Sequence, residues 1–279
     1  MSTDMPKGDV ETGAGAIRNP SKRFRYSSGL RVLSLVGFFG VWQIVCALGL
    51  FTPVLLPAPT RVFVAGLAML RDGVLLSNTF VSLLRVVVGF SLAAVIAVPA
   101  GIYAGWNLTA RNLIEPITEF FRPIPVLAML PLATLWFGIG ELSKIFLITY
   151  GSFFPIFLNT AAGVRFVDPI FVQAANSLGA TRTQVFVKVV LMAAMPDIAT
   201  GLRLGLGFSF LTLVAAEMIA SQKGLGYLIV DTQLTFRTDQ TLVATLMLGL
   251  LGFGSGAILS YAEGRLLRWK KGLQTHRDH

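Results

Sequence analysis

Glu217 is the one charged residue inside any of the six long apolar runs of this 279-residue chain, and so the first place to look for chemistry. A carboxylate within hydrocarbon is costly, so such a group faces protein or water and takes a partner. Lys223 and Arg237 are the nearby candidates. Two roles stay open for Glu217: a structural ion pair at the membrane edge, or a gating or solute-binding group. The remaining titratable and nucleophilic side chains are too scattered to make a catalytic set. Cys46 is the only cysteine, which rules out an intrachain disulfide. His276 and His279 stand in a polar tail, where such a pair is ordinarily solvated rather than metal-bound. Neither a catalytic residue nor a metal site is expected. Walker A, HExxH, CxxC, GxSxG and dinucleotide-binding patterns do not occur. If movement through this chain needs energy, the energy enters from a partner.

A second group of residues suits docking. Residues 168–196 form the longest polar-bearing segment caught between two membrane-length apolar runs. Asp168 can cap a short helix with Pro169 at its first position, Gly179 can supply the left-handed residue that ends it, and Thr181 with Gln184 makes a capping box for the next helix. Ala174, Ala175 and Gly179 would give the first helix a small-residue surface that another backbone could approach closely.

These groups must be held by membrane helices. The chain is 54% hydrophobic and 13% charged, with a mean hydropathy of +0.71, beyond what the core of a soluble domain this size requires. Six runs approach or exceed the roughly 18–20 apolar residues that cross a bilayer: 32–51, 86–106, 123–140, 145–164, 204–221 and 241–262. With the N-terminus inside, 17 of the 23 Lys and Arg residues fall on the inner side and six on the outer, which fixes both termini as cytoplasmic and places 168–196 in the cytoplasm between spans four and five. The net charge of +9 is thus mainly an orientation signal. Residues 1–29 are expected to be a disordered cytoplasmic tail, 30–270 the transmembrane domain and 271–279 a second cytoplasmic tail.

Proline and polar residues mark a candidate pathway. In 123–140, Pro123, Pro125 and Pro131 deny a straight helix, and irregular backbone at membrane depth is tolerated where it is buried in protein or lines a watery cavity. Pro125, Met129 and Pro131 are therefore pathway candidates, with a kinked packing helix as the alternative. Asn159 near the end of the fourth run, and Ser209 and Thr212 in the fifth, either pack tightly or offer polar contacts to a solute. Between the first two runs, Thr60 is expected to cap a short helix that buries Val62, Phe63, Leu67 and Leu70.

The segment 173–196, QAANSLGATRTQVFVKVVLMAAMP, resembles the EAA motif of the permease subunits of bacterial binding-protein-dependent ABC importers. The motif's two alanines and its glycine fall on Ala174, Ala175 and Gly179. Gln173 stands at its usual acid, and Met192 where many relatives carry proline. The segments RPIPVLAMLPLATLWFGIG (122–140), GLRLGLG (201–207) and LVAAEMIASQKGLGYLI (213–229) are similar to the branch that imports nitrate, taurine and aliphatic sulfonates, and the likeness spans about residues 30–270.

This resemblance implies two copies of the chain around a central pathway, two cytoplasmic ATPase subunits that use ATP-Mg, and a periplasmic solute-binding protein, all at the bacterial inner membrane. No cofactor is implied for the chain itself. The ATPase-coupling residues would be Gln173, Ala174, Ala175, Asn176, Ser177, Leu178, Gly179 and Ala180. A passive channel, or an ion-coupled carrier using Glu217, is the alternative. A DNA-binding helix-turn-helix is disfavoured because the second helix of the segment is largely apolar and abuts a membrane run, so no nucleic-acid partner is expected.

Overall fold

The computed structural model describes residues 28–49 and 52–266, and among these every regular element is a helix. The two tails expected at the ends, except where the first helix begins, lie outside the described residues, as do His276 and His279. The order is α1 (Ser28–Ala47), α2 (Pro59–Arg71), α3 (Val74–Trp106), α4 (Leu108–Phe121), a 3-10 turn (Val126–Met129), α5 (Leu130–Phe137) and α6 (Glu141–Arg165). Then follow α7 (Pro169–Ser177), a single turn α8 (Arg182–Gln184), a widened π stretch (Val185–Val190), α9 (Leu191–Ala220), α10 (Leu225–Leu234) and α11 (Thr238–Leu266).

Among the described residues four helices are long and apolar enough to cross a membrane: α3, α6, the continuous stretch Arg182–Ala220, and Thr238–Arg265. At a 1.5 Å rise, the 33 residues of α3 reach about 50 Å, well beyond a hydrocarbon core of roughly 30 Å. Its start at Val74, ahead of the apolar run, brings Arg85 inside the helix. The third run does not make a helix of its own. Pro125 and Pro131 leave a 3-10 turn and an eight-residue helix, and this piece forms one candidate span only together with α4, to which it is bent by 91°. The first run lies in the 20-residue α1, in which Val36–Ala47 forms a shorter apolar stretch.

In α2 the cap differs from the expectation. Ala58 holds the N-cap position with no side-chain bond, and Pro59 takes the first helical position, so Thr60 lies inside the helix. The buried face is Val62, Ala65 and Met69, which pack against Leu225, Leu228, Val243 and Ala244, while Phe63 points outward.

The centre of the bundle is α6 clasped between α3 and α9. Glycines set both distances. A Cβ on Gly89 would stand 2.6 Å from Ile148 Cγ2, on Gly101 2.8 Å from Thr160 Cβ, and on Gly105 2.7 Å from the Ala161 carbonyl oxygen. On the other flank Gly201 meets Asn159 and Gly205 meets Ile156 in the same way. Small residues permit this approach, and dispersion rather than a hydrophobic driving force holds such helices in lipid. Replacing Gly101 by leucine is therefore expected to lower stability by about 1–3 kcal/mol. Gly249→Leu, where nothing lies within 4 Å, should be nearly silent. Thermal unfolding of both variants in detergent checks the contrast.

Candidate functional site

At one end of the bundle α7 is a short, fully capped helix. The Asp168 carboxylate accepts from the Ile170 N–H at 2.9 Å and Pro169 opens the helix. At the other terminus Gly179 has φ +76°, the Ala180 N–H reaches back to the Ala175 carbonyl at 3.1 Å, and the Gly179 N–H donates to Asn176. This 6→1 closure needs a left-handed residue, which glycine adopts without a Cβ penalty. Thr181 and Gln184 complete a capping box for α8, with the Thr181 N–H donating to the Gln184 side chain at 2.9 Å.

No residue of α7 is fully buried. Its two faces nevertheless differ. Val172 and Ala175, with Ala180 just beyond, rest on the cluster of Val164, Val185, Val190, Ala194 and Ile198. Ile170, Phe171, Ala174 and Leu178 point away, Leu178 at 88% exposure. Gln173, Asn176, Ser177 and Gly179 are exposed as well. The small-residue surface expected from Ala174, Ala175 and Gly179 is thus divided: Ala175 seats the helix, and the outward face is a stripe of larger apolar groups at helical spacing with Ala174 among them.

The opposite end, beside α10, holds a buried ionic joint. Glu217 is 0% exposed. One carboxylate oxygen accepts from Arg85 Nη1 at 2.6 Å, the other from the Gly226 N–H at 2.8 Å, and Ser82 Oγ lies 2.8 Å from both. Arg85, 3% exposed, also grips Glu141 through Nε and Nη2, each at 2.6 Å, and donates to the Lys223 carbonyl at 2.7 Å. Lys144 Nζ lies 3.3 Å from the same Glu141. Asn78 and Ser82 tie down the N–H groups of Gly224 and Leu225 at 2.7 and 2.8 Å.

Gly224, at φ +121°, lies so close that any Cβ would strike the Glu217 carboxylate, and a Cβ on Gly226 would come 2.7 Å from Glu217 Cβ. The joint therefore fastens α3, α6 and α9 to the α9–α10 turn. The partner of Glu217 is Arg85, 132 positions away. Lys223 contributes its backbone carbonyl, and Arg237 makes no ion pair with Glu217. A signal for this was present: Asn78, Ser82, Arg85 and Gly89 recur at i, i+4, i+7 and i+11, a polar and small stripe on one face of α3.

The other pathway candidates lie in different surroundings. Met129 is buried with Ala133, Leu147 and Ala216, and Thr212 is buried against Gly151, so both belong to the seam of α5, α6 and α9. Ser209 is buried and donates to the Leu206 carbonyl at 2.6 Å, and Asn159 donates to the Pro155 carbonyl at 2.8 Å. Pro125 and Pro131 are exposed around the 3-10 turn. Beside the ionic joint opens a cavity of about 520 Å³ whose wall includes Arg85, Glu141, Lys144, Gln222 and Lys223. Among the described residues no three of His, Cys, Asp and Glu gather as metal ligands.

This architecture matches known proteins. The chain is 38% identical over 245 residues to the taurine transport system permease protein of Escherichia coli (strain K12), covering 86% of this chain and 89% of that one. It is 32% identical over 251 residues to the bicarbonate transport system permease protein of Synechococcus elongatus, covering 86% and 89%. Its fold superimposes on a chain of the MetNI methionine ABC transporter, solved in inward-facing conformations, with a TM-score of 0.55 at 21% identity, covering 68% of this chain and 93% of that one. A sequence model of the binding-protein-dependent transport system inner membrane components matches residues 97–268, and the chain belongs to this family, in the nitrate, taurine and sulfonate branch of ABC transporter permeases.

Proposed function

We propose that two copies of this chain form the translocation pathway of an ATP-driven importer for a small organic or inorganic anion such as a sulfonate, taurine or nitrate, delivered by a periplasmic binding protein. Each copy would contribute six spans with both termini cytoplasmic: α1, α3, the bent α4–α5 unit, α6, the stretch from α8 to α9, and α11. The observation that carries this reading is α7. A helix capped at both ends, seated on the bundle by Val172 and Ala175 and carrying an outward apolar stripe has nothing among the described residues to bury that stripe against.

Two ATPase subunits supply that surface in this reading, with Gln173 through Ala180 as the coupling segment. α7 joins α6 through three residues and reaches α9 through α8 and the π stretch, so a push on α7 is delivered to the helices at the bundle centre. Closure of the ATPase pair on ATP-Mg would move both copies of α7 and tilt the spans from inward-open to outward-open. The chain binds no cofactor of its own, and Glu217, surrounded by protein, serves as a joint.

Reconstitution tests this. The purified chain alone in liposomes should neither hydrolyse ATP nor take up solute, and adding the ATPase and binding protein encoded with it should produce ATP-dependent accumulation of a labelled small anion. Uptake by the chain alone, down a gradient or coupled to an ion, would establish a channel or carrier instead.

A further inference from the structure

The ionic joint is saturated on one side and open on the other. Glu217 lies wholly in protein, whereas the Glu141 side chain, bound to the same guanidinium, is 58% exposed. Arg85 and Lys144 are buried, their side chains 3% and 6% exposed. Two buried cations thus face one buried anion and one exposed anion at the first turn of α6. If the Glu141 carboxylate swings into water, the site keeps Arg85, Lys144 and Glu217, a hole of one negative charge.

We propose that Glu141 is the resident occupant of an anion socket, and that the anionic group of the transported solute displaces it. The fork offered to Glu141, Nε and Nη2 at 2.6 Å each, is the bidentate donor pair that any planar or tetrahedral oxyanion accepts. Lys144 adds a third donor from the side. The socket opens on the cavity of about 520 Å³, within the roughly 300–1,000 Å³ of small-ligand sites. Gln222 and Lys223 line the same cavity.

Glu217 fixes Arg85 from behind and so makes the socket rigid, while the exposure of Glu141 lets water solvate its carboxylate as an incoming anion takes over its bonds. A resident carboxylate also answers a difficulty of any anion site at the membrane edge. Two buried cations without a counter-charge would be costly whenever solute is absent, and Glu141 supplies that charge between solutes. The site lies at the α10 end, opposite α7, which is the side from which an importer receives solute. The inference rests on the importer reading for that direction and for the class of ligand.

The test uses the full chain in detergent with methanesulfonate as probe and dimethyl sulfone as the uncharged control. By titration calorimetry, Glu141→Gln should bind methanesulfonate at least tenfold more tightly than the wild type, Lys144→Met added to it should remove the gain, and dimethyl sulfone should bind neither. Equal affinity of wild type and Glu141→Gln overturns the socket. A second measurement does not depend on those variants. In a Cys46→Ser background, Glu141→Cys should react at least tenfold faster with a sulfonate-bearing methanethiosulfonate than with its trimethylammonium analogue, and methanesulfonate should slow that reaction. Equal or inverted rates overturn the proposal. ATP-driven uptake by the assembled wild-type complex, found alongside methanesulfonate binding that ignores both substitutions, would sink the socket and leave the importer reading standing.

Discussion

Replacing Glu217 by alanine is expected to destabilise the protein by about 3–5 kcal/mol, the cost of stranding a buried charge by removing its partner. Arg85 is buried, at 3% exposure, and Glu141 can neutralise only one side of it. The loss goes beyond the ion pair. The Gly226 N–H would lose its acceptor, and Ser82 would lose the carboxylate to which it bonds while still accepting from Leu225. Gly224 and Gly226, packed against the Glu217 side chain, would border the void it leaves.

The controls are sharp. Lys223→Ala and Arg237→Ala should each change stability by less than about 0.5 kcal/mol, because both side chains are exposed and Lys223 enters the joint through its carbonyl alone. Arg85→Met combined with Glu217→Gln should cost less than the sum of the two single changes, with a coupling of about 1–3 kcal/mol, since the pair leaves together. Equilibrium unfolding in mixed micelles measures all six variants. A Glu217→Ala protein as stable as the wild type would mean that the joint does not hold the α10 end.

What could be read from the chain was whatever is decided within a few residues. Asp168, Pro169, Gly179, Thr181 and Gln184 act through bonds spanning two to five positions, and each stands where its local chemistry puts it. The proline break at 123–131 follows equally from local backbone rules. What escaped was decided by tertiary contact. Hydropathy marked the second run from Val86, one residue too late to admit Arg85, so the nearest cations in sequence looked like the partners of Glu217. Likewise the smallness of Ala174 and Ala175 was plain, but which of them faces inward depends on how the chain leaves α6 at Phe166 and Val167, and on the π stretch that turns Val185 and Val190 together toward Val164. Ser209 and Thr212 share a helix with Glu217, yet their surroundings are set by the glycines opposite, as Gly151 shows for Thr212.

That division of α7 decides how its docking role is tested. Leu178→Asp is expected to cut ATP-driven uptake by the assembled complex at least tenfold while leaving the folded chain intact. Leu178 is 88% exposed, so a charge there costs the chain less than about 0.5 kcal/mol. The same carboxylate placed in an apolar groove on a partner is desolvated without a mate. Ala174→Arg, on the same outward stripe, should behave alike through its bulk. Ala175→Arg is a poorer probe, because that side chain packs on the Val164 and Val185 cluster and its loss of function would include an unseated helix. Gly179→Trp is also mixed: nothing lies within 4 Å of a Cβ there, but φ +76° strains any side-chain-bearing residue and loosens the cap. The measurement pairs uptake in proteoliposomes with co-purification of the ATPase. Leu178→Asp should lose both together, since a helix that no longer docks neither holds the motor nor feels it. Retention of the ATPase with loss of uptake would place the defect in transmission through α8 and the π stretch, and normal values of both would remove α7 from the coupling path.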